Sequence, residues 1–297
     1  MPLTRNTNPA AGFDLAALAM LATLANLAAS AVLLATPARA DDGPTEAPAG
    51  EARFSYALGA AVLAAPTYIG SGGQEVKLRP LWSVRYGRFR LSGARASGLL
   101  AAPGDAGSGA SADLIDSPTW KVGAALRFDT GRASSDDAAL SGLPDVRRTL
   151  RARVYASRDL GGNLGPGWLG QLGYSQDLLG RGGGGLANTG LVYSWAAMPG
   201  LEASASAGLT WADGQHMRTY FGIAPAVAQA TGRTAYGPGA GLRDAHASLG
   251  LRQPLGGRWV LWGGVAASQL LGQAADSPLT RQKTGYSASV ALAWRSN

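Results

Sequence analysis

The stretch WKVGAALRFD, residues 120–129, decides the fold class of this 297-residue chain. Apolar side chains alternate along it with small or charged ones, which is the period of two that a β-strand shows. The apolar positions are Trp120, Val122, Ala124, Leu126 and Phe128, and the intervening positions are Lys121, Gly123, Ala125, Arg127 and Asp129. The pattern predicts a strand with one apolar face.

The same alternation recurs at residues 150–157, 201–211 and 286–294. Either a soluble sandwich or a membrane barrel would produce it. The second face carries Gly, Ala, Ser and Arg rather than the Lys and Glu of a water-exposed sheet, which favours a narrow barrel lumen. Aromatic residues end the apolar faces at Trp120 and Phe128, and again at Tyr286 and Trp294. Eight residues of a tilted strand span roughly 20 Å, close to the spacing of the aromatic girdles of outer-membrane barrels.

We therefore predict an all-β fold, a transmembrane antiparallel up-and-down β-barrel. Eleven segments read as strands: 53–63, 75–85, 89–101, 118–129, 148–159, 166–177, 186–197, 200–212, 243–253, 257–267 and 283–294. Bacterial single-chain barrels have even strand counts and short periplasmic turns. The tight turn at 198–200 lies on the periplasmic side only if a further strand lies between the third and seventh segments. Twelve strands is the prediction, with ten as the alternative.

The longer connections 64–74, 213–242 and 268–282 are then extracellular loops. A loop as long as 213–242 is expected to be functional, to fold inward or to contain a missed short strand. From residue 54 onward no apolar run approaches the ~20 residues of a membrane helix, and convincing helical periodicity is absent.

The chain begins with a pattern typical of an exported protein. Residues 1–40 read as a cleavable signal peptide, with Arg5, an apolar stretch and a small-residue cleavage pattern ending at Ala40. Residues 41–52 read as a short disordered periplasmic tail, and 53–297 as the barrel domain. The predicted location is the outer membrane of a Gram-negative cell, where the barrel contacts lipid.

Composition excludes several classes of function. There is no Cys and there are only two His, which excludes disulfide scaffolds, Cys-based metal sites and thiol catalysis. The net charge of +7 comes from scattered Arg without a basic run, so we predict no nucleic-acid partner. No metal site and no cofactor is expected.

Three features of the sequence superficially resemble catalytic or ligand-binding sites. Asp213 and His216 share a loop, and Ser204 and Ser206 lie on the strand before it, a superficial Ser/His/Asp set. The serines belong to a strand and His216 to a loop beyond its end, so we predict that the protein is not an enzyme. His246 is expected to be a hydrogen-bonded lumen residue. The run Gly182 to Gly185 lacks the context of a phosphate loop and is expected to be a flexible turn.

Alternation also predicts charges inside the lumen. The candidates are Arg127, Arg151, Arg153, Glu202 and Arg252. In the interpretation that we favour, the arginines pair with lumen carboxylates such as Glu202 and Asp129 and fill the barrel. In the alternative they line a passage that favours anions.

Several short motifs, in order along the chain, resemble a known family. They are APTYIGS at 65–71, RPL at 79–81, LSGLPDV at 140–146, RTYFGI at 218–223, TG at 231–232 and ADSPL at 275–279. This ordered set resembles the MipA/OmpV family, the MltA-interacting protein family of outer-membrane barrels. The residues that carry the resemblance are Pro66, Tyr68, Gly70, Pro80, Tyr220, Phe221, Gly222, Asp276, Ser277 and Pro278.

The resemblance implies a non-enzymatic scaffold in the cell envelope. Its partners would be a murein lytic transglycosylase and a murein synthase, so that peptidoglycan cleavage and synthesis are linked. The family offers no catalytic residues and no cofactor to transfer. A small-solute or anion channel and a surface adhesin are the alternative functions.

Overall fold

The computed structural model describes residues 54–93, 108–164 and 167–296, and these form a closed barrel of twelve strands. The predicted signal peptide 1–40 and tail 41–52 lie outside the described residues. The strands are β1 (Phe54–Pro66), β2 (Gln74–Tyr86), β3 (Phe89–Ser92), β4 (Gly109–Asp116), β5 (Trp120–Asp129), β6 (Thr149–Asp159), β7 (Trp168–Asp177), β8 (Gly185–Met198), β9 (Leu201–Ala212), β10 (Gly241–Gly256), β11 (Trp259–Leu270) and β12 (Thr284–Arg295).

Each strand pairs antiparallel with the next one, and β1 pairs with β12 to close the barrel. The closing seam runs from Ala57 opposite Arg295 to Ala64 opposite Ala288. The backbones approach closely there, since a Cβ at Gly59 would lie 2.2 Å from the Leu292 carbonyl oxygen. This confirms the all-β, up-and-down barrel and its twelve strands, and the alternative of ten is wrong.

The additional strand is β4, which lies between the third and fourth predicted segments. Its residues are mostly small or acidic, and a register shift between Asp113 and Ile115 interrupts its pairing with β5. Both features weaken the alternation that reveals a strand. β3 ends at Ser92, and residues 94–101 of its predicted segment are not described. The other ten segments match observed strands to within three residues at either end.

The predicted apolar faces point outward. Trp120 and Phe128, at the two ends of β5, are 43% and 66% exposed. Further exposed aromatic residues gather at the end of the barrel where the strand connections are shortest, among them Phe54, Tyr86, Phe89 and Trp259. Guanidinium groups lie over three rings of this girdle, in the pairs Arg88–Phe89, Arg158–Trp120 and Arg258–Trp294. Such an arrangement suits a lipid–water interface.

The two ends of the barrel differ in their connections. At the turn end lie the connections 87–88, 117–119, 199–200 and 257–258, together with the start of β1 and the end of β12. The short helix α1 (Gly161–Leu164) follows β6 at the same end. At the loop end lie the connections 67–73, 130–148, 178–184, 213–240 and 271–283. Short turns face the periplasm in bacterial outer-membrane barrels, so the turn end is expected to be the periplasmic one.

Among the described residues, short α-helices do occur despite the absence of helical periodicity, α1 at the turn end and three more at the loop end. The loop 213–240 contains α2 (Gly214–Phe221) and α3 (Pro225–Thr231), and 271–283 contains α4 (Gly272–Ala275). These helices are so short that an apolar period hardly repeats within them. In the described part of the chain, no helix is long and apolar enough to cross a membrane.

Candidate functional site

The loop end carries what we call the loop cap, a packed layer made from four loops. One apolar cluster joins Tyr68, Leu140, Leu143, Ile223, Ala228 and Leu279. A second joins Ala212, Met217, Phe221, Leu270, Ala274 and Ala275. Leu140 and Met217 are fully buried, and Phe221 is 1% exposed. The loop 213–240 therefore folds inward, which is one of the three outcomes expected for a loop of its length.

Local sequence explains the helices of the cap. Asp213 caps α2, because its carboxylate accepts a hydrogen bond of 2.7 Å from the backbone N–H of His216. Pro225 starts α3, and Gly232 ends it in the left-handed conformation with φ of 66°. Both helices thus have start or stop signals, although their apolar spacing does not reveal them.

Hydrogen bonds fix one loop of the cap to another. The Tyr68 hydroxyl donates to the Leu279 carbonyl oxygen over 2.8 Å. Burial of the ring raises the pKa of this hydroxyl. The Ser277 hydroxyl donates to the Phe221 carbonyl oxygen over 2.6 Å and accepts from the Leu279 N–H at 3.1 Å. The Gly70 carbonyl accepts from the Arg281 and Gln282 N–H groups.

The residues that carry the family resemblance are therefore concentrated in and around this cap. Tyr68, Gly70, Phe221 and Ser277 make the contacts just described, and Tyr220, Gly222, Asp276 and Pro278 are their chain neighbours. Pro66 is the last residue of β1, where the first loop leaves the barrel. Pro80 differs, because it lies within β2 opposite Ala60 of β1 and away from the cap.

A tier of charged residues lies under the cap. Arg151, 6% exposed, donates to the carbonyl oxygens of Gly183 and Gly184 over 2.9 Å each. Its guanidinium is also 3.6 Å from the Asp129 carboxylate. The Asp177 carboxylate accepts from the Gly183 N–H at 2.9 Å. The glycine run at 182–185 is thus largely buried and held by charged side chains, which differs from the flexible turn that the sequence predicts.

His216 is buried in the same tier and its ring is held on three sides. Nδ1 lies 2.9 Å from the Gly183 carbonyl oxygen, Nε2 lies 3.4 Å from an Arg243 guanidinium nitrogen, and the ring stacks on Tyr220 at 4.4 Å between centroids. Burial, with a contribution from the Arg243 charge, lowers the pKa of His216 to about 4. The imidazole is neutral at physiological pH, with Nδ1–H donating to the carbonyl. Burial beside Asp129 raises the pKa of Tyr220 to about 12.

The Ser/His/Asp set is not assembled. The Asp213 carboxylate accepts hydrogen bonds from the backbone N–H groups of His216 and Gly185, whereas the imidazole of His216 contacts Gly183 and Arg243. Ser206 lies opposite Ser248 on β10, with 2.6 Å between the hydroxyl oxygens, and Ser204 lies two residues further toward the turn end. A triad needs a hydrogen bond from nucleophile to base and another from base to acid. In the part of the chain that the structure describes, no cluster of three His, Cys, Asp or Glu could hold a metal ion.

His246, the second histidine, lies on the lumen face of β10. Its Nδ1 is 3.3 Å from Asp244, and the same carboxylate accepts from Arg243 over 2.6 Å. A lumen residue with hydrogen-bonding neighbours is what the sequence predicts for this histidine.

Below this tier, the lumen widens into a cavity of 1130 Å³ that we call the vestibule. Among the residues that the structure describes, five arginines line it, Arg85, Arg90, Arg252, Arg258 and Arg295, together with one carboxylate, that of Glu202. Glu202 and Arg252 form an ion pair of 2.8 Å. Because Gly257 and Arg258 belong to the turn between β10 and β11, the vestibule reaches the turn-end rim.

Two predicted lumen charges lie between the vestibule and the cap. Arg127 is opposite Arg151 on the neighbouring strand, and Arg153 is opposite Ser175. Sequence reasoning missed Arg85 on β2, Arg90 on β3 and Asp113 on β4; Arg85 lies opposite Arg90 in the register, and Asp113 is 3.8 Å from the Arg85 guanidinium. The signal was present in β2, where charged and polar residues alternate with Val76, Leu78 and Trp82.

The family model of MltA-interacting protein MipA matches residues 58–296, which is most of the chain. The chain belongs to the MipA family. The family membership that the sequence motifs predict is thereby confirmed, and this MipA-family chain is an outer-membrane β-barrel.

Solved barrels resemble it only distantly. An outer membrane channel from Pseudomonas putida F1 is 12% identical, with a TM-score of 0.41, over 87% of this chain and all of that one. The NanC porin is 9% identical, with a TM-score of 0.40, over 80% of this chain and 98% of the porin. OmpT of Vibrio cholerae is 7% identical, with a TM-score of 0.37, over 85% and 99% of the two chains. No curated protein sequence matches the chain.

Proposed function

We propose that this MipA-family barrel is a non-enzymatic scaffold of the outer membrane, and that its turn end binds a murein lytic transglycosylase. A murein synthase held at the same rim would link peptidoglycan cleavage to synthesis. In this proposal residues 1–40 are the signal peptide, 41–52 the periplasmic tail and 53–297 the barrel. The family description, MltA-interacting protein, supports a transglycosylase as partner.

The packed loop cap is the observation that carries the proposal. Side chains such as Leu140 and Met217 in it are 0% exposed. A lumen that is narrowed by such packing is poorly suited to passing solutes. The polar, arginine-rich rim at the other end faces the compartment that contains murein, which supports a role in binding periplasmic partners.

Photo-crosslinking in intact cells tests the scaffold. A photoreactive residue at exposed Arg258, in a periplasmic turn, is expected to capture a lytic transglycosylase identified by mass spectrometry. The matched control is the same residue at exposed Arg147, in the loop-end segment 130–148, which is expected to capture none. Capture from Arg147 alone, or from neither position in a folded and abundant barrel, would overturn the proposal.

A second candidate function is a narrow anion channel, favoured by the five arginines of the vestibule. The packed cap predicts no discrete conductance in planar bilayers. Single-channel events that vanish in the Arg151→Gln variant would favour the channel, because this residue lies where a passage would have to open under the cap.

A further inference from the structure

The barrel register brings like charges together in the vestibule. Arg85 on β2 lies directly opposite Arg90 on β3. Like charges at directly opposed positions of antiparallel strands destabilise the sheet. Asp113 on β4 offsets part of this repulsion, at 3.8 Å from the Arg85 guanidinium, and it also accepts a hydrogen bond of 2.9 Å from Tyr155. The two opposed guanidinium groups and Asp113 thus form one charged cluster on β2, β3 and β4.

The remaining arginines of the vestibule come from β10, the turn that follows it, and the end of β12. Arg252 is paired with Glu202, whereas Arg295 extends the positive charge toward the rim. The Arg258 guanidinium lies over the Trp294 ring of the outer girdle at 5.5 Å, so its charge lies at the rim rather than inside the cavity. Among the described residues, Arg85, Arg90, Arg252 and Arg295 outnumber the carboxylates of Glu202 and Asp113, which gives a concave surface with positive potential, and concave, low-dielectric walls concentrate such a field.

The other lining groups suit a hydroxylated ligand. Six serines line the vestibule: Ser55, Ser83, Ser92, Ser194, Ser204 and Ser296. Each hydroxyl can both donate and accept a hydrogen bond. Trp262 also lines the cavity and lies opposite Arg252 in the register, so an aromatic face adjoins a guanidinium. Arginine binds carboxylates through two parallel hydrogen bonds, and an aromatic face covers the apolar side of a sugar ring.

We propose that the vestibule is a binding site for a short glycan that carries carboxylates and enters from the turn end. The cavity volume of 1130 Å³ is sufficient for a few sugar rings; pockets for drug-sized ligands have about 300–1,000 Å³. This proposal rests on the proposed function, which places the turn end in the periplasm. Fragments of murein are glycans that carry carboxylates, so they belong to the class of ligand that the vestibule would bind.

Two disaccharides that differ in one carboxylate test the site. The probe is N-acetylglucosaminyl-N-acetylmuramic acid, and its matched neutral control is di-N-acetylchitobiose, which lacks the lactyl carboxylate. Calorimetry with the purified full-length barrel in detergent is expected to give at least about tenfold tighter binding of the acid. Added salt is expected to weaken the binding of the acid and to leave that of the neutral sugar unchanged.

The variant Arg85→Gln/Arg90→Gln is expected to weaken binding of the acidic disaccharide by about tenfold or more. Arg147→Gln, an exposed arginine far from the vestibule, is the matched control and is expected to bind like the unaltered barrel. Circular dichroism of both variants reports whether the barrel is folded. If the double variant does not fold, Arg252→Gln on the opposite wall takes its place, with the same expected direction.

Equal affinity for the two disaccharides, no binding of either, or unaltered binding by the arginine variants would overturn the proposal. These failures are distinguishable from failure of the scaffold. Crosslinking at Arg258 reports the protein partner and does not depend on the vestibule ligand. A barrel that binds the acidic disaccharide but captures no transglycosylase would refute the scaffold alone.

Discussion

The loop cap and the vestibule occupy opposite ends of one lumen and are built on opposite physical principles. The cap is apolar and tightly packed, and Leu140, Met217 and Ala274 in it are 0% exposed. The vestibule is lined by arginine and serine, and the side chain of Glu202 at its wall is 63% exposed. Packing holds the cap in a single arrangement, whereas the charges of the vestibule remain solvated and free to exchange water for a ligand. We therefore expect the cap to govern stability and the vestibule to govern recognition.

The largest loss of unfolding free energy is expected for Phe221→Ala in the cap. Phe221 is 1% exposed and touches the second apolar cluster, so its truncation leaves a cavity. The expected loss is about 3–5 kcal/mol of unfolding free energy. Urea titration in detergent measures it, and faster proteolysis of the loop 213–240 reports the opened cap.

Phe128→Ala is the matched control for Phe221→Ala. Phe128 is 66% exposed on the outer face, so its truncation leaves no internal cavity and is expected to lower the unfolding free energy much less. Equal losses for the two variants would mean that the cap is not a packed core.

A pH titration is expected to show the next largest effect, again confined to the cap. The pKa of His216 is about 4 in the folded protein, against an ordinary value of 6.5, since burial and Arg243 disfavour the charged ring. Between these values the unfolded chain binds more protons, so stability falls as pH falls from 6.5 to 4 and is independent of this group above pH 6.5. The difference amounts to at most roughly 3 kcal/mol.

Urea titration at several pH values measures this dependence, with His216→Gln as the control that removes the ionisable ring. Asp129 and Arg151 also face the ring, so the difference between the two proteins isolates the histidine. Identical pH profiles for both proteins would show that the imidazole is not held neutral in the cap.

The smallest effect is expected for Glu202→Gln in the vestibule. The pair with Arg252 is close, at 2.8 Å, but the two side chains are 63% and 30% exposed. Exposed ion pairs contribute about 0–1 kcal/mol, so the urea midpoint should hardly move. A loss as large as that of Phe221→Ala would contradict the distinction between a packed cap and a solvated vestibule.

Sequence reasoning predicted the barrel well because the physics of a membrane strand is local. Each residue of β5 faces either lipid or the lumen, so its polarity indicates the face of the sheet on which it lies. The sequence placed β4 only within a range, between the third and seventh predicted segments, because the short turns had to lie on one side of the membrane. Its small and acidic residues do not alternate in polarity, so they do not identify the strand itself. The helices of the cap were missed for a related reason. An eight-residue helix such as α2 is too short to show a repeating apolar pattern, and it is stabilised by contacts with other loops.

The sequence by itself determined the fold class, the family, the outward aromatic girdle and the placement of arginines on the lumen face, since all of these follow from the order of neighbouring residues. Only the tertiary structure decided which distant residues meet. Tyr68 and Leu279 are 211 positions apart and share a hydrogen bond. Arg85 and Asp113 meet because two strands lie side by side. Closure of the barrel joins loops and walls whose contacts no local pattern encodes, and these contacts made the cap and the vestibule.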